Sequence, residues 1–390
     1  MVPVAKRIAP AESLSVPGLH AHVPELDGIR GIAVALVVFF HLSLLGGIGA
    51  NSFYRPIAAV GWSGVDLFFV LSGLLITGIL LDSRADRRYF QKFYARRVLR
   101  IFPLYYAVVA GLFLLAPLLL DLLSRGRMIS FWVQPESQFF AWIFALNILF
   151  AIPHAGFSPL IHPLWSLAVE EQFYLAWPLV VRRLAKVRLG RICVGLIFAA
   201  LAIRTVFAIA GNSPAAYALT PCRFDALAMG GLLAVTLRSE NAMPLLRTWS
   251  WKLAAASLAA FAVVGLTRGL DFKDPVVVTA GISLLDLFFA SSLAAILSAP
   301  AESVIRSPFR SSALRTVGKY SYAIYIFHQA IIIGLCTKNL PSLLIARLHS
   351  KLFADIAFST LACALSFAAA LASWWLIEKR FLALKRVFQY

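Results

Sequence analysis

Apolar runs of about twenty residues recur along the whole sequence, and each is long enough to cross a hydrocarbon core about 30 Å thick as a helix. They fall at 29–49, 60–81, 98–120, 163–181, 192–210, 222–237, 249–267, 276–298, 318–335 and 353–377. A chain patterned this way does not make a water-soluble globule. Its residues are 61% hydrophobic and only 14% charged, with a mean hydropathy of +0.82. The strict alternation of a transmembrane β-barrel is absent from these runs. The fold expected is all-α: a polytopic transmembrane helical bundle of about ten crossing helices in one domain. Residues 1–24 should form a flexible cytoplasmic tail, 25–380 the membrane domain, and 381–390 a cytoplasmic C-terminal tail.

Charge sets the orientation. The 36 Lys and Arg outnumber the 18 Asp and Glu, giving a net charge of +18. These cations cluster in short gaps between apolar runs, which is what orientation in a bilayer requires and not what a nucleic-acid interface looks like. The gaps at 84–100, 182–191 and 306–319 and the end of the chain are the basic ones, and all four are expected in the cytoplasm. From a cytoplasmic N-terminus this works only if the short run 139–152 does not cross but re-enters or lies at the interface. Both termini then face the cytoplasm of a cell inner membrane. Residues 336–352, with Lys338, Arg347 and Lys351, are the one basic stretch assigned outside. The stretch 82–97 mixes basic and aromatic residues. It reads as an interfacial anchor in anionic headgroups, or as a cationic mouth for a cytosolic polyphosphate. The first 24 residues hold no continuous apolar run and are not expected to act as a signal peptide. Cys193, Cys222, Cys336 and Cys363 show no metal or redox spacing, and a Cys222–Cys336 disulfide is not expected.

Ionisable residues inside apolar runs mark function by default, because burying them without a partner is costly. The first run carries Arg30 at its start and His41 eleven residues on, roughly 16 Å along a helix. If Arg30 marks one surface, His41 lies near the midplane. Its bland alternative is a core histidine bonded to a backbone carbonyl. In the second run, entered from outside, Asp66 lies about 8 Å deep and Ser72 about 17 Å; pairing of Asp66 with an arginine would be the structural reading. In the fourth, Ser166 and Glu170 share a face one turn apart, while Glu171 points about 100° away. Arg97 and Arg100 share the inner end of the third run, as phosphate-binding guanidiniums or as plain anchors. Arg223 and Asp225 suit pairing with each other. Asp286 and His328 lie near mid-depth, His328 as a polar member of a site or as a packing residue.

Five stretches, taken together and in order, carry a resemblance. They are Arg30-X10-His41, Gly-Val-Asp-Leu-Phe-Phe-Val-Leu-Ser-Gly at 64–73, Arg-X-X-Arg at 97–100, Trp-Ser-Leu-Ala-Val-Glu-Glu-Gln-Phe-Tyr at 165–174, and Tyr-Ser-Tyr-Ala-Ile-Tyr-Ile-Phe-His at 320–328. The chain resembles the acyltransferase 3 family of membrane O-acyltransferases over residues 24–380. The resemblance implies ten transmembrane helices, an acyl-CoA donor (acetyl-CoA foremost) on the cytoplasmic side, and a carbohydrate or related cell-envelope hydroxyl outside. It maps the family histidine onto His41, its first arginine onto Arg30, its arginine pair onto Arg97 and Arg100, and its carboxylate onto Glu170. Gln329 departs from the tryptophan often found after the second histidine. The resemblance also leads one to expect that a further transfer step would use another protein.

Depth and chemistry then suggest a mechanism. Arg97, Arg100 and Arg30 would hold the donor phosphates, and His41 would be the general base on the acceptor hydroxyl. Asp66 or Glu170 would orient its ring, and Ser72, Ser166, Glu171 and His328 would line the site. Direct transfer is expected, with no metal and no tightly bound cofactor. The rival class is a proton-coupled transporter with His41, Asp66, Asp286 and Glu170 as a relay. The arginines at one mouth and the lack of an internal repeat count against it.

Overall fold

The computed structural model describes residues 23–45, 58–115, 135–153, 155, 158–240 and 242–388. The expected tail at 1–24 lies almost wholly outside these residues, as do the ends of the runs 29–49 and 98–120.

Every described segment of regular structure is helical. In chain order the helices are α1 (Pro24–Leu45), α2 (Gly64–Asp82), α3 (Tyr89–Ala110), α4 (Pro135–Trp142), α5 (Leu146–Ala151), α6 (Leu164–Arg183), α7 (Lys186–Ile209) and α8 (Ser213–Ala218). They continue with α9 (Thr220–Thr236), α10 (Ala242–Arg268), α11 (Ile282–Ser298), α12 (Ser312–Lys319), α13 (Ser321–Thr337), α14 (Leu340–Leu348), α15 (Lys351–Ser373) and α16 (Lys379–Ala383). Among the described residues, eight helical stretches are long and apolar enough to cross a membrane. A ninth appears if α12 and α13, bent by 74°, are one broken span. The 20-residue α6 is long enough as well, but Glu170, Glu171 and Gln172 dilute its apolar character. Those nine and α6 correspond to the ten runs read from sequence. The run 139–152 folds as the two short helices α4 and α5 with Phe144 between them in the left-handed region, φ 53°. Neither short helix can span the core.

Several boundaries differ from the periodicity. The third helix starts at Tyr89, nine residues before its apolar run, because basic and aromatic residues continue the helix out of the core. The last helical stretch runs from Lys351 to Phe388 rather than stopping at 377.

The core is organised by α2, which packs against α1, α6, α9 and α11. A helix surrounded on most sides is mainly apolar on every face, and α2 is, with Asp66, Ser72, Thr77 and Asp82 as its polar exceptions. Its closest neighbour is α9, and glycine is why. A Cβ on Gly73 would run into the Leu227 carbonyl, and one on Gly230 into the Val70 carbonyl. Small residues let backbones meet where lipid provides no hydrophobic drive for association.

The basic gaps are stitched together at one end of the bundle. Arg238 grips Asp82 with two bonds of 2.7 and 2.6 Å. Arg84 donates to the Arg182 carbonyl at 3.2 and 3.0 Å, and Arg96 to that of Phe388 at 3.2 Å. Glu25, at the start of α1, accepts from Arg306 and Arg310, each at 2.6 Å. Arg306 also reaches the Ala299 carbonyl, and Arg247 that of Ser298. The protein is a multi-pass membrane protein.

Candidate active site

A cavity of about 160 Å³ opens among α1, α2, α3, α6 and α13. Arg30, Arg97 and Arg100 line it together, with Ser72, Ser166 and Glu170. Six of the ten candidate residues, drawn from four helices, therefore share one space. The arginines come from two separate helices, α1 and α3, and meet around this space with α2 and α6, which pack on each other.

Inside, Glu170 accepts a 2.7 Å bond from the Tyr174 hydroxyl, and that hydroxyl also meets Ser72 Oγ. Tyr174 lies one turn after Glu170, so both project from one face of α6. The Arg97 guanidinium lies over two rings, 5.6 Å from the Tyr174 centroid and 5.8 Å from that of Phe93. The positive charges acting on Glu170 come from Arg97, Arg100 and Arg30. Three guanidiniums around one carboxylate leave the cavity net cationic, suited to an anionic ligand. Arg30 is steadied by Asp27 at 2.7 Å.

The opposite wall is aromatic. The Tyr325 hydroxyl donates to the Pro163 carbonyl at 2.9 Å and sits 2.6 Å from Ser166 Oγ, while its ring lies against Phe68 at 6.1 Å. Tyr325 also joins the cavity to the histidines: it lines the cavity, and its ring centroid is 5.8 Å from that of His328. His41 and His328 are buried partners, with His328 Nε2 3.2 Å from His41 Nδ1, and neither lines the cavity.

The backbone fixes the protons on this pair. His41 Nδ1 is 2.9 Å from the Val37 carbonyl, which can only accept, so Nδ1 carries hydrogen. His328 Nδ1 is 2.7 Å from the Tyr325 carbonyl and carries hydrogen for the same reason. In neutral rings, His328 Nε2 is then an acceptor facing the His41 N–H, and His41 Nε2 keeps a free lone pair.

Three expectations are corrected. Asp66 forms a buried ion pair with Arg223 and does not line the cavity, so it is committed elsewhere than to orienting His41. Arg223 and Asp225 do not pair with each other; Asp225 takes Arg204 at 2.6 Å. Residues two apart on a helix diverge by about 200°, which sends the two side chains to nearly opposite faces and different neighbours. Glu171 likewise turns away from the cavity, with Oε1 buried and unbonded. Sequence reasoning missed Tyr174, Tyr322 and Tyr325 as lining residues, although Tyr174 stood at helical spacing from Glu170 inside a quoted motif. It missed Arg204 too, whose signal was a lone cation inside the run 192–210. The four cysteines are free thiols.

The profile of the acyltransferase 3 family, an acyltransferase domain, matches residues 23–378. The chain is 29% identical over 325 residues to the peptidoglycan O-acetyltransferase OatA of Listeria monocytogenes, covering 80% of this chain and 49% of that protein. It is 31% identical over 333 residues to YrhL of Bacillus subtilis, provisionally named for the same activity, with the same two coverages. A provisionally named O-acetyltransferase of Staphylococcus aureus strain COL is 28% identical over 337 residues, covering 80% of this chain and 51% of that protein. The chain spans about half the length of these curated relatives. No solved structure matches it.

Proposed function

Since the chain belongs to the acyltransferase 3 family, we propose that it is a membrane O-acetyltransferase of a cell-envelope polymer, drawing its acyl group from cytoplasmic acetyl-CoA. The observation that carries this reading is the convergence of Arg30, Arg97 and Arg100 on one cavity with Glu170 and Ser72. Guanidiniums recognise phosphate oxygens bidentately, so this mouth suits the phosphates of the donor. Arg97 and Arg100 belong to the basic gap at 84–100, and Arg30 lies near the start of α1, at the end read from charge as cytoplasmic. The relatives' names favour peptidoglycan as the acceptor over lipopolysaccharide.

In this reading the pantetheine arm extends from the arginines toward Ser166 and Tyr325. His41 Nε2 takes the proton of the acceptor hydroxyl as that oxygen attacks the thioester carbonyl. The tetrahedral intermediate then expels the CoA sulfur as thiolate, and the imidazolium returns its proton to it. No net proton is consumed. The Val37 carbonyl holds the His41 ring in the tautomer that leaves Nε2 basic, and His328 Nε2, 3.2 Å from the same Nδ1, is a second acceptor for the imidazolium N–H, as a third group is in hydrolytic triads. Because Tyr325 borders both the cavity and His328, its ring must swing aside for the thioester to reach the base. Glu170, through Tyr174 and Ser72, positions the arginine-lined wall.

Purified protein in liposomes, given acetyl-labelled donor on one face and a soluble glycan acceptor on the other, tests the proposal. Label in the acceptor supports it. Acceptor that crosses unmodified would instead establish the proton-coupled carrier.

A further inference from the structure

Beside the cavity, and outside the chemistry just described, the membrane interior holds a second set of ionisable side chains. Asp66 on α2, Arg204 on α7, Arg223 and Asp225 on α9 and Asp286 on α11 are all fully buried, each at 0% exposure. Arg223 is paired with Asp66. Arg204 holds Asp225 at 2.6 Å and also donates to Ser283 Oγ at 2.6 Å, to the Cys222 carbonyl at 3.1 Å and to the Thr279 carbonyl at 3.3 Å. Ser283 in turn donates to Asp225 Oδ2 at 3.3 Å. Asp286 interacts electrostatically with Asp225, Asp66, Arg223 and Arg204, yet neither of its oxygens has a hydrogen-bond partner.

The charges do not balance. Guanidinium remains protonated in proteins, so the arginines supply two positive charges. Three ionised aspartates would leave one negative charge with no counter-ion, deep in an apolar medium. A carboxylate in that position takes up a proton instead. Asp66 has Arg223 and Asp225 has Arg204 as its counter-ion. Asp286 touches neither guanidinium. Asp66 Oδ2 and Asp225 Oδ1 are likewise buried acceptors without partners. Seven of the eleven buried side-chain polar atoms lacking a partner among the described residues belong to these five side chains.

We infer that the cluster of Asp66, Arg204, Arg223, Asp225 and Asp286 is a proton-binding site inside the bilayer, with the proton resident on the Asp286 carboxyl at neutral pH. Sodium would supply the same single charge, but among the described residues no three acidic or other metal-ligating side chains come close enough together to hold a metal ion. The charged groups acting on Asp286 are those of the two ion pairs, and the Tyr217 ring of α8 lies under Arg223 at 5.4 Å. The proton has a structural consequence for the cavity. The Arg223 guanidinium also lies over Phe69 at 5.4 Å, and Phe69 lines the cavity. One ring therefore separates the cluster from the donor space, and the proton keeps that wall electrically neutral.

Infrared spectroscopy of the purified protein in lipid nanodiscs at neutral pH tests this independently of any acyl transfer. The expected result is a carboxylic-acid carbonyl band in the wild type that shifts in deuterated water, is missing in Asp286→Asn and is displaced in Asp286→Glu. Asp286→Asn should also keep the wild-type melting temperature, since an amide replaces a neutral acid. Should Asp286→Asn fail to fold, Asp286→Glu alone decides. A wild type without an acid band, or a band that neither variant alters, overturns the assignment. A melting temperature raised by sodium but not by choline would overturn it in favour of sodium.

Discussion

Arg97 is the residue whose replacement separates donor binding from chemistry. Its guanidinium is held over the rings of Tyr174 and Phe93, 5.6 and 5.8 Å from their centroids, and borders the same cavity as Arg30 and Arg100. Arg97→Gln removes one charge-assisted contact to a donor phosphate, worth about 1.5–3 kcal/mol. At about 1.4 kcal/mol per tenfold, that is roughly a 10- to 150-fold rise in KM for acetyl-CoA. Arg97→Lys keeps the charge but loses the fork and most of the ring contact, so about a tenfold rise is expected. Because the contact is made equally in the bound ground state and the transition state, kcat should change little. The assay is initial velocity in proteoliposomes with donor concentration varied at saturating acceptor. Added salt should weaken wild-type donor binding more than that of Arg97→Gln. A KM unchanged in Arg97→Gln, or a fall confined to kcat, would refute the assignment of this mouth to the donor.

Other outcomes follow from the same geometry. His41→Ala and His41→Asn should abolish transfer while the protein still inserts, checked by turnover beside membrane fractionation. His328→Leu should lower kcat and flatten its pH profile, and His328→Gln, which can still present an acceptor to His41 Nδ1, should recover part of the loss. Gly73→Ala should destabilise the protein by about 1–3 kcal/mol, because its Cβ meets the backbone of Leu227. Gly195→Ala, on α7 with nothing near the added carbon, should be neutral or stabilising by up to about 1 kcal/mol; thermal denaturation in detergent compares the two. Reporter fusions between α6 and α7 and after α13 should report opposite sides of the membrane.

The sequence alone determined that the chain is a helical membrane protein, where most of its helices run, and which gaps collect at one end. Those properties depend on length, apolarity and charge, which are local and additive. It also singled out Arg30, Arg97, Arg100, Ser72, Ser166 and Glu170, because polar groups in apolar runs stand out one at a time. Tertiary structure decided what each of them faces. Asp66 looked like a partner for His41, and Arg223 a partner for Asp225, until packing of α2 against α9 and of α9 against α7 paired Asp66 with Arg223 and Asp225 with Arg204. The bend between α12 and α13, the Tyr325 wall and the meeting of His41 with His328 were equally invisible. Ion pairs and hydrogen bonds act over about 3 Å, and which groups come that close depends on rotation and crossing between different helices, 157 residues apart for Asp66 and Arg223 and 21 for Arg204 and Asp225. Periodicity along one helix carries no information about its rotation relative to another.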